Sequence, residues 1–159
     1  MKRILFTVAL ICVLLLSFTS CDPAQYYHDA EEMKDTVTTI SLIRYNNTAK
    51  GLFENRDKVK NFDFNKTTYI ESLPVDLEEK FLNEFVDITI MLAWKHDDSA
   101  EGYCLMITFA DGSFEIISCE NNFSCIYNAD GSVNYFIGTG GGNPLIQLIN
   151  KYFNYKIEI

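Results

Sequence analysis

The chain has 159 residues, 48% of them hydrophobic, and a formal net charge of −9 from 13 Lys+Arg against 22 Asp+Glu. A length and apolar content of this kind, with only three prolines, suit one packed globular domain and argue against disorder. The acidic balance disfavours nucleic acid, which calls for a basic surface.

Lys2 and Arg3 precede an apolar run from Ile4 to Leu16 that closes in Ser17-Phe18-Thr19-Ser20-Cys21. The run falls short of the ~20 residues a membrane-spanning helix needs, and the basic start with small polar residues behind it predicts an export signal over residues 1–20. Ordinary signal peptidase wants small residues one and three positions before its cut. A cut before Cys21 would set the bulky Phe18 at the second of these. A lipoprotein peptidase accepts a large apolar residue there, and Phe18-Thr19-Ser20-Cys21 resembles the lipobox of bacterial lipoproteins, with Phe in place of the more usual Leu.

The resemblance is confined to this leader. It implies that Cys21 becomes the mature N-terminus and carries a diacylglyceryl thioether. Several acyl chains then give stable anchoring on the extracytoplasmic face of the cell membrane, where one would not. Removing residues 1–20 takes away Lys2 and Arg3 but no acid, so 13 − 2 = 11 bases face 22 acids and the mature charge is −11. In a two-membrane bacterium, Asp22 behind the lipidated cysteine would resemble an inner-membrane retention signal. The expected partners are the membrane, through the anchor, and an envelope protein or wall component.

Residues 21–35 read as a lipidated tether with Pro23, His28, Asp29, Glu31 and Glu32 and no clear periodicity, and residues 36–159 as a single α+β domain. The β-branched and aromatic run Val37–Tyr45 predicts a strand. A charged loop over 54–60 leads to a second extended piece, Asn61–Ile70. Pro74-Val75-Asp76 opens a helix with Asp76 as its cap and Glu79 three residues on; Leu77, Phe81, Leu82 and Phe85 share one face. Ile88, Ile90, Leu92 and Trp94 alternate with Thr89, Met91, Ala93 and Lys95, a strand pattern.

Asp111-Gly112 and Asp130-Gly131, each between extended apolar runs, predict hairpin turns. A two-residue loop at the first pairs Phe109 with Phe114, Ile107 with Ile116 and Leu105 with Ser118. The second joins Phe123–Asn128 to Val133–Ile137. The glycine-rich stretch Gly138–Gly142 then leads to a helix capped by Asn143, beginning at Pro144, with Leu145, Leu148, Ile149, Tyr152 and Phe153 as its stripe. The sum is an antiparallel meander sheet of about five to seven strands with two helices packed on one face.

Five cysteines include Cys12 in the leader and Cys21 at the lipid site, which leaves Cys104, Cys119 and Cys125 in the domain. The two-residue register sets Cys104 opposite Cys119, and a short turn separates Cys119 from Cys125, so either pair offers a bridge; three buried thiols are the favoured alternative.

Candidate chemistry is sparse. The Gly138–Gly142 loop before a helix suits an anion in principle, yet it lacks the endings of nucleotide-binding loops, and a plain connection accounts for it. Asp97, Asp98 and Glu101 beside His96 are too few for a calcium loop, with Thr108 standing where a bidentate acid is required; a solvated acidic turn accounts for them. Cys104 with His96 is the one nucleophile–base pair available, but Cys104 sits in an apolar strand. No catalytic residue, metal or cofactor is therefore assigned. The aromatic content is high, and Tyr103, Tyr127 and Tyr135, on two-faced strands, are the expected outward contacts for a protein or glycan surface. The leading expectation is a non-catalytic binding or adaptor module at the cell envelope. The alternatives are a small-ligand binder or sensor and a thiol-dependent or other hydrolase using His96 and Cys104.

Overall fold

In a computed structural model of the chain, the described residues are 30–46, 62–88, 102–119, 123–137 and 142–158. They form an α+β fold: α1 (Ala30–Thr36), β1 (Val37–Tyr45), a 3-10 turn (Phe64–Lys66), β2 (Thr67–Ser72), α2 (Val75–Phe85), β3 (Tyr103–Phe109), β4 (Phe114–Ser118), β5 (Phe123–Tyr127), β6 (Val133–Ile137) and α3 (Gly142–Tyr152). Six strands make one antiparallel sheet in the order β2-β1-β3-β4-β5-β6. From β3 onward it is a meander. The first strand breaks the pattern by lying between β2 and β3, so the chain crosses over β1 by way of α2.

Alternation along the strands divides the sheet into two apolar faces. Ile40, Leu42, Leu105, Ile107 and Ile117 belong to one cluster with Phe81, Leu82 and Phe85 of α2 and with Leu145, Ile146, Leu148 and Ile149 of α3. The opposite face carries Ile43, Tyr45, Cys104, Ile116, Cys125 and Tyr127. The main core thus gathers sheet and helix side chains, each fully buried aliphatic or aromatic residue contributing roughly 1.5–3 kcal/mol.

Both Asp-Gly turns form, but with three-residue loops. Gly112 N–H donates to Phe109 O at 3.0 Å and Phe109 N–H to Ser113 O at 2.9 Å; Gly131 and Asn128 repeat the pattern with Asn128 and Ser132. Both loops are cut from the same tetrapeptide, Ala-Asp-Gly-Ser, at 110–113 and 129–132. In each, the Asp carboxylate accepts the N–H of the Ser two residues on, at 2.8 Å, and the Gly takes a positive φ of 85° or 81°. The side-chain bond to the backbone favours this longer turn over the two-residue one.

The extra residue moves the register by one. Cys104 faces Ser118, Leu105 faces Ile117 and Ile107 faces Glu115, in place of the pairings expected from a two-residue loop. A one-residue slip sends every side chain to the other face. Cys104 and Cys119 accordingly fall in different clusters, as do Cys119 and Cys125. All three are buried thiols outside any disulfide.

Three element ends also differ from expectation. Ala30–Thr36, expected as tether, is helical, and Met33 is 4% exposed within the main core, because its apolar side chain has the floor of α2 to pack on. Pro74, not Asp76, occupies the N-cap of α2 without a side-chain hydrogen bond; Asp76 lies in the first turn, where its charge still suits the helix dipole. α3 begins at Gly142, so Pro144 stands in its first turn, which tolerates a residue with no N–H. The strand expected around Ile90–Trp94 lies outside the described residues.

Behind α3 the chain is tied down. Asn150 accepts the N–H of Ile157 at 2.7 Å and donates to its carbonyl at 2.9 Å, holding Ile157 at 3% exposure. Glu71 of β2 accepts three bonds from Asn154 and Tyr155, at 2.7–3.1 Å.

Candidate functional site

The sheet face that carries Ile43, Tyr45, Cys104 and Tyr127 is aromatic. Phe62 and Phe64, carried by the 3-10 turn and the residues before it, bring their rings onto it. Phe62 lies 6.1 Å from Tyr45, 5.9 Å from Phe114 and 5.8 Å from Tyr127, centroid to centroid, and meets Phe64 edge-on at 4.9 Å. Phe114 and Tyr127, on neighbouring strands, stack at 4.6 Å and 11°. Asp63 sets the turn that carries Phe64 by accepting the N–H of Asn65 at 3.1 Å.

Within this cluster the polar tips are few. Burial drives the Tyr127 phenol upward in pKa and pushes the Cys125 thiol to about 11. The two groups lie close enough to perturb one another, yet the buried Tyr127 hydroxyl finds no partner of ordinary hydrogen-bond geometry among the described residues. Cys104 is wholly buried, and a thiol shut into apolar surroundings is inert.

Two aromatic side chains among the described residues of this face are largely exposed: Phe64 at 56% and Tyr69 at 60%. Tyr69 sits on the edge strand β2 opposite Ile43, which fixes its side. Aromatic surface of this kind supplies contact area at small entropic cost, and Tyr adds a hydroxyl for orientation.

The three tyrosines expected to point outward fare differently. Tyr127 is 7% exposed, a correction: its ring stacks on Phe114 and meets Phe62 edge-on, which the strand pattern alone does not reveal. Tyr103 packs against the main core on the other face, its hydroxyl 2.5 Å from that of Tyr155 and its ring 5.5 Å from the Arg44 guanidinium. The side chain of Tyr135 is outside the described residues, although its backbone pairs with Cys125.

Cys21, His28, His96, Asp97, Asp98, Glu101 and most of the Gly138–Gly142 loop also lie outside them, and the expected Cys104–His96 pairing lies outside the described residues with His96. Among the described residues no group of three or more His, Cys, Asp or Glu is arranged to hold a metal ion, and no helix is long and apolar enough to cross a membrane. Phe64 and Tyr69 escape a sequence reading because the 3-10 turn interrupts the period-two pattern that would have placed them. The chain matches no family model, no curated protein and no solved structure.

Proposed function

We propose that the chain is a non-catalytic binding module of the bacterial envelope, anchored outside the cytoplasm through a lipidated Cys21 and meeting another envelope protein through the aromatic face around Phe64 and Tyr69. The observation that carries this reading is the exposure of these two rings, 56% and 60%, beside a cluster in which Tyr45 and Tyr127 are buried and Phe62 and Phe114 half-buried. A ring left in water beside a packed aromatic cluster has a ready site on which a partner's apolar side chains gain burial. The acidic surface, −11 after loss of the leader by the count above, supports a protein partner over nucleic acid. Eight residues lie between Cys21 and Ala30, a reach that sets the folded part within about 30 Å of the bilayer and favours a membrane-proximal partner.

The test is in-cell cross-linking of the tagged full-length protein beside Cys21→Ser and Phe64→Ala/Tyr69→Ser copies, with membrane fractionation. The expected result is one envelope protein captured by the wild type and lost from both variants. A partner retained by the Phe64→Ala/Tyr69→Ser copy rules out the aromatic face, and a Cys21→Ser protein that still fractionates with membranes rules out the anchor.

A further inference from the structure

α1 and α2 border an open cleft of about 400 Å³ lined by Lys34, Val37, Val75, Glu78, Glu79 and Leu82. Its floor is apolar: Leu82 is 2% exposed in the main core and Val37 packs partly against that core. Its wall is unfilled, because Val75, in the first turn of α2, is 81% exposed. An aliphatic side chain this open, next to a concave apolar floor, leaves surface that an aliphatic stem can cover.

The charges on the rim are not equivalent. Lys34 is engaged, its Nζ 3.0 Å from Glu31 and 3.5 Å from Glu79. Glu78 is half-buried, makes no ion pair among the described residues, and burial pushes its carboxyl above the usual range. A partly desolvated carboxylate without a counter-charge is improved by a cation that arrives with its own apolar stem. Lysine has that shape: a flexible four-carbon chain ending in a compact ammonium, whereas arginine gains most from a two-pronged carboxylate partner. A lipid headgroup fits less well, since its phosphate would enter a region already holding Glu31, Glu32, Asp76, Glu78 and Glu79.

We propose that this cleft docks a lysine side chain of a partner protein, its stem on Val37, Val75 and Leu82 and its ammonium paired with Glu78. The site lies on the helix side of the molecule and stands independently of the aromatic-face reading, which rests on Phe64 and Tyr69.

The experiment follows the Val and Leu methyl signals of the full-length protein in zwitterionic micelles during titration with Nα-acetyl-lysine methylamide. The norleucine counterpart, which lacks only the ammonium, and a short-chain phosphatidylethanolamine are run alongside. Saturable shifts of Val75 and Leu82 with the lysine compound are expected, with weaker binding of the norleucine compound. Glu78→Gln is expected to weaken the lysine compound by about two- to fivefold, the range of a part-exposed ion pair. Val75→Ser should weaken both amide compounds. Absence of saturable shifts, equal binding of lysine and norleucine compounds, an unchanged affinity in Glu78→Gln, or a response to the lipid alone would each overturn the proposal.

Discussion

Ser124 donates its hydroxyl to the carboxylate of Glu115 across the β4–β5 ladder, and both side chains are wholly buried. The two are diagonal neighbours, Glu115 opposite Ile126 and Ser124 opposite Ile117, on the face that carries the main core. A polar pair in such a place joins two strands whose other inward side chains are interchangeable hydrophobes, and it resists a slip of register, since one step would aim the acid at the aromatic face.

Ser124→Ala is therefore expected to cost about 1–3 kcal/mol, because it strips a donor from a buried carboxyl and leaves the acid in place. Urea unfolding followed by circular dichroism reads the loss as a lower midpoint at constant slope. A midpoint equal to that of the wild type would show the bond to be dispensable.

Gly112 and Gly131 adopt positive φ with open space around them, nothing lying within 4 Å of an added Cβ. Replacement by Ala then meets backbone strain alone, about 1–2 kcal/mol at either turn. Asn, which tolerates the left-handed region, should recover most of it. Thermal unfolding of the four single variants checks the order; Ala variants as stable as the wild type would contradict the turn geometry.

Asn150→Ala removes both hydrogen bonds that hold Ile157 against the core, with an expected loss of about 1–2 kcal/mol. Amide exchange should speed first in residues 153–158, before the sheet responds. Uniform acceleration across the sheet would mean that this segment is no separate unit.

Acid should weaken the fold through four carboxylates. For Glu71, burial alone would raise the carboxyl, but the N–H groups of Tyr155 and Asn154, the Asn154 amide and the Lys156 charge together hold it below its ordinary value. Glu84 is lowered by its bonds to Lys151 and Tyr152, Asp111 by Ser113 and Asp130 by Ser132. A carboxyl depressed in the folded state contributes stability above its unfolded pKa and loses it as pH falls through the folded value. The decline is thus expected to set in below pH 4.5 for the glutamates and 3.8 for the aspartates. Glu78 acts in the opposite sense, since protonation relieves the desolvation of its charge. Urea midpoints measured from pH 6 to pH 3 should fall, and Glu71→Gln should flatten part of the fall; a variant with the wild-type slope would remove Glu71 from the account.

Cys104, Cys119 and Cys125 should resist a thiol reagent at pH 8 in the native protein and react together on unfolding. Burial raises Cys119 well above a free thiol and Cys125 to about 11, so the reactive thiolate is scarce as well as enclosed. Peptide mapping without reductant provides the counter-result: a peptide linking Cys119 to Cys104 or to Cys125 would contradict the opposed faces.

Much of the fold follows from local pattern alone. Val37–Tyr45, Phe123–Tyr127 and Val133–Ile137 are strands because their side chains favour extension, and α2 bears Phe81, Leu82 and Phe85 at helical spacing because 3.6-residue periodicity needs no partner to be recognised. The Asp-Gly pairs mark their turns for the same local reason. Loop length was another matter. It depended on how the Asp111 carboxylate met the Ser113 amide, and that single bond moved the register, separated Cys104 from Cys119 and carried Glu115 into the core.

The partly filled surfaces were equally beyond local pattern. Tyr127 and Tyr69 occupy similar strand positions, yet one is enclosed by Phe62 and Phe114 and the other stands 60% exposed on an edge strand. Met33 became core because α2 lay beside it, and Glu78 became half-buried because α1 did. The sequence by itself determined the composition of each strand and helix and the turn sites, since these depend on neighbours along the chain. Only the tertiary structure decided which faces were covered, which aromatic rings met water and which acid lacked a partner, because those depend on residues tens of positions away brought into contact by the crossover over β1.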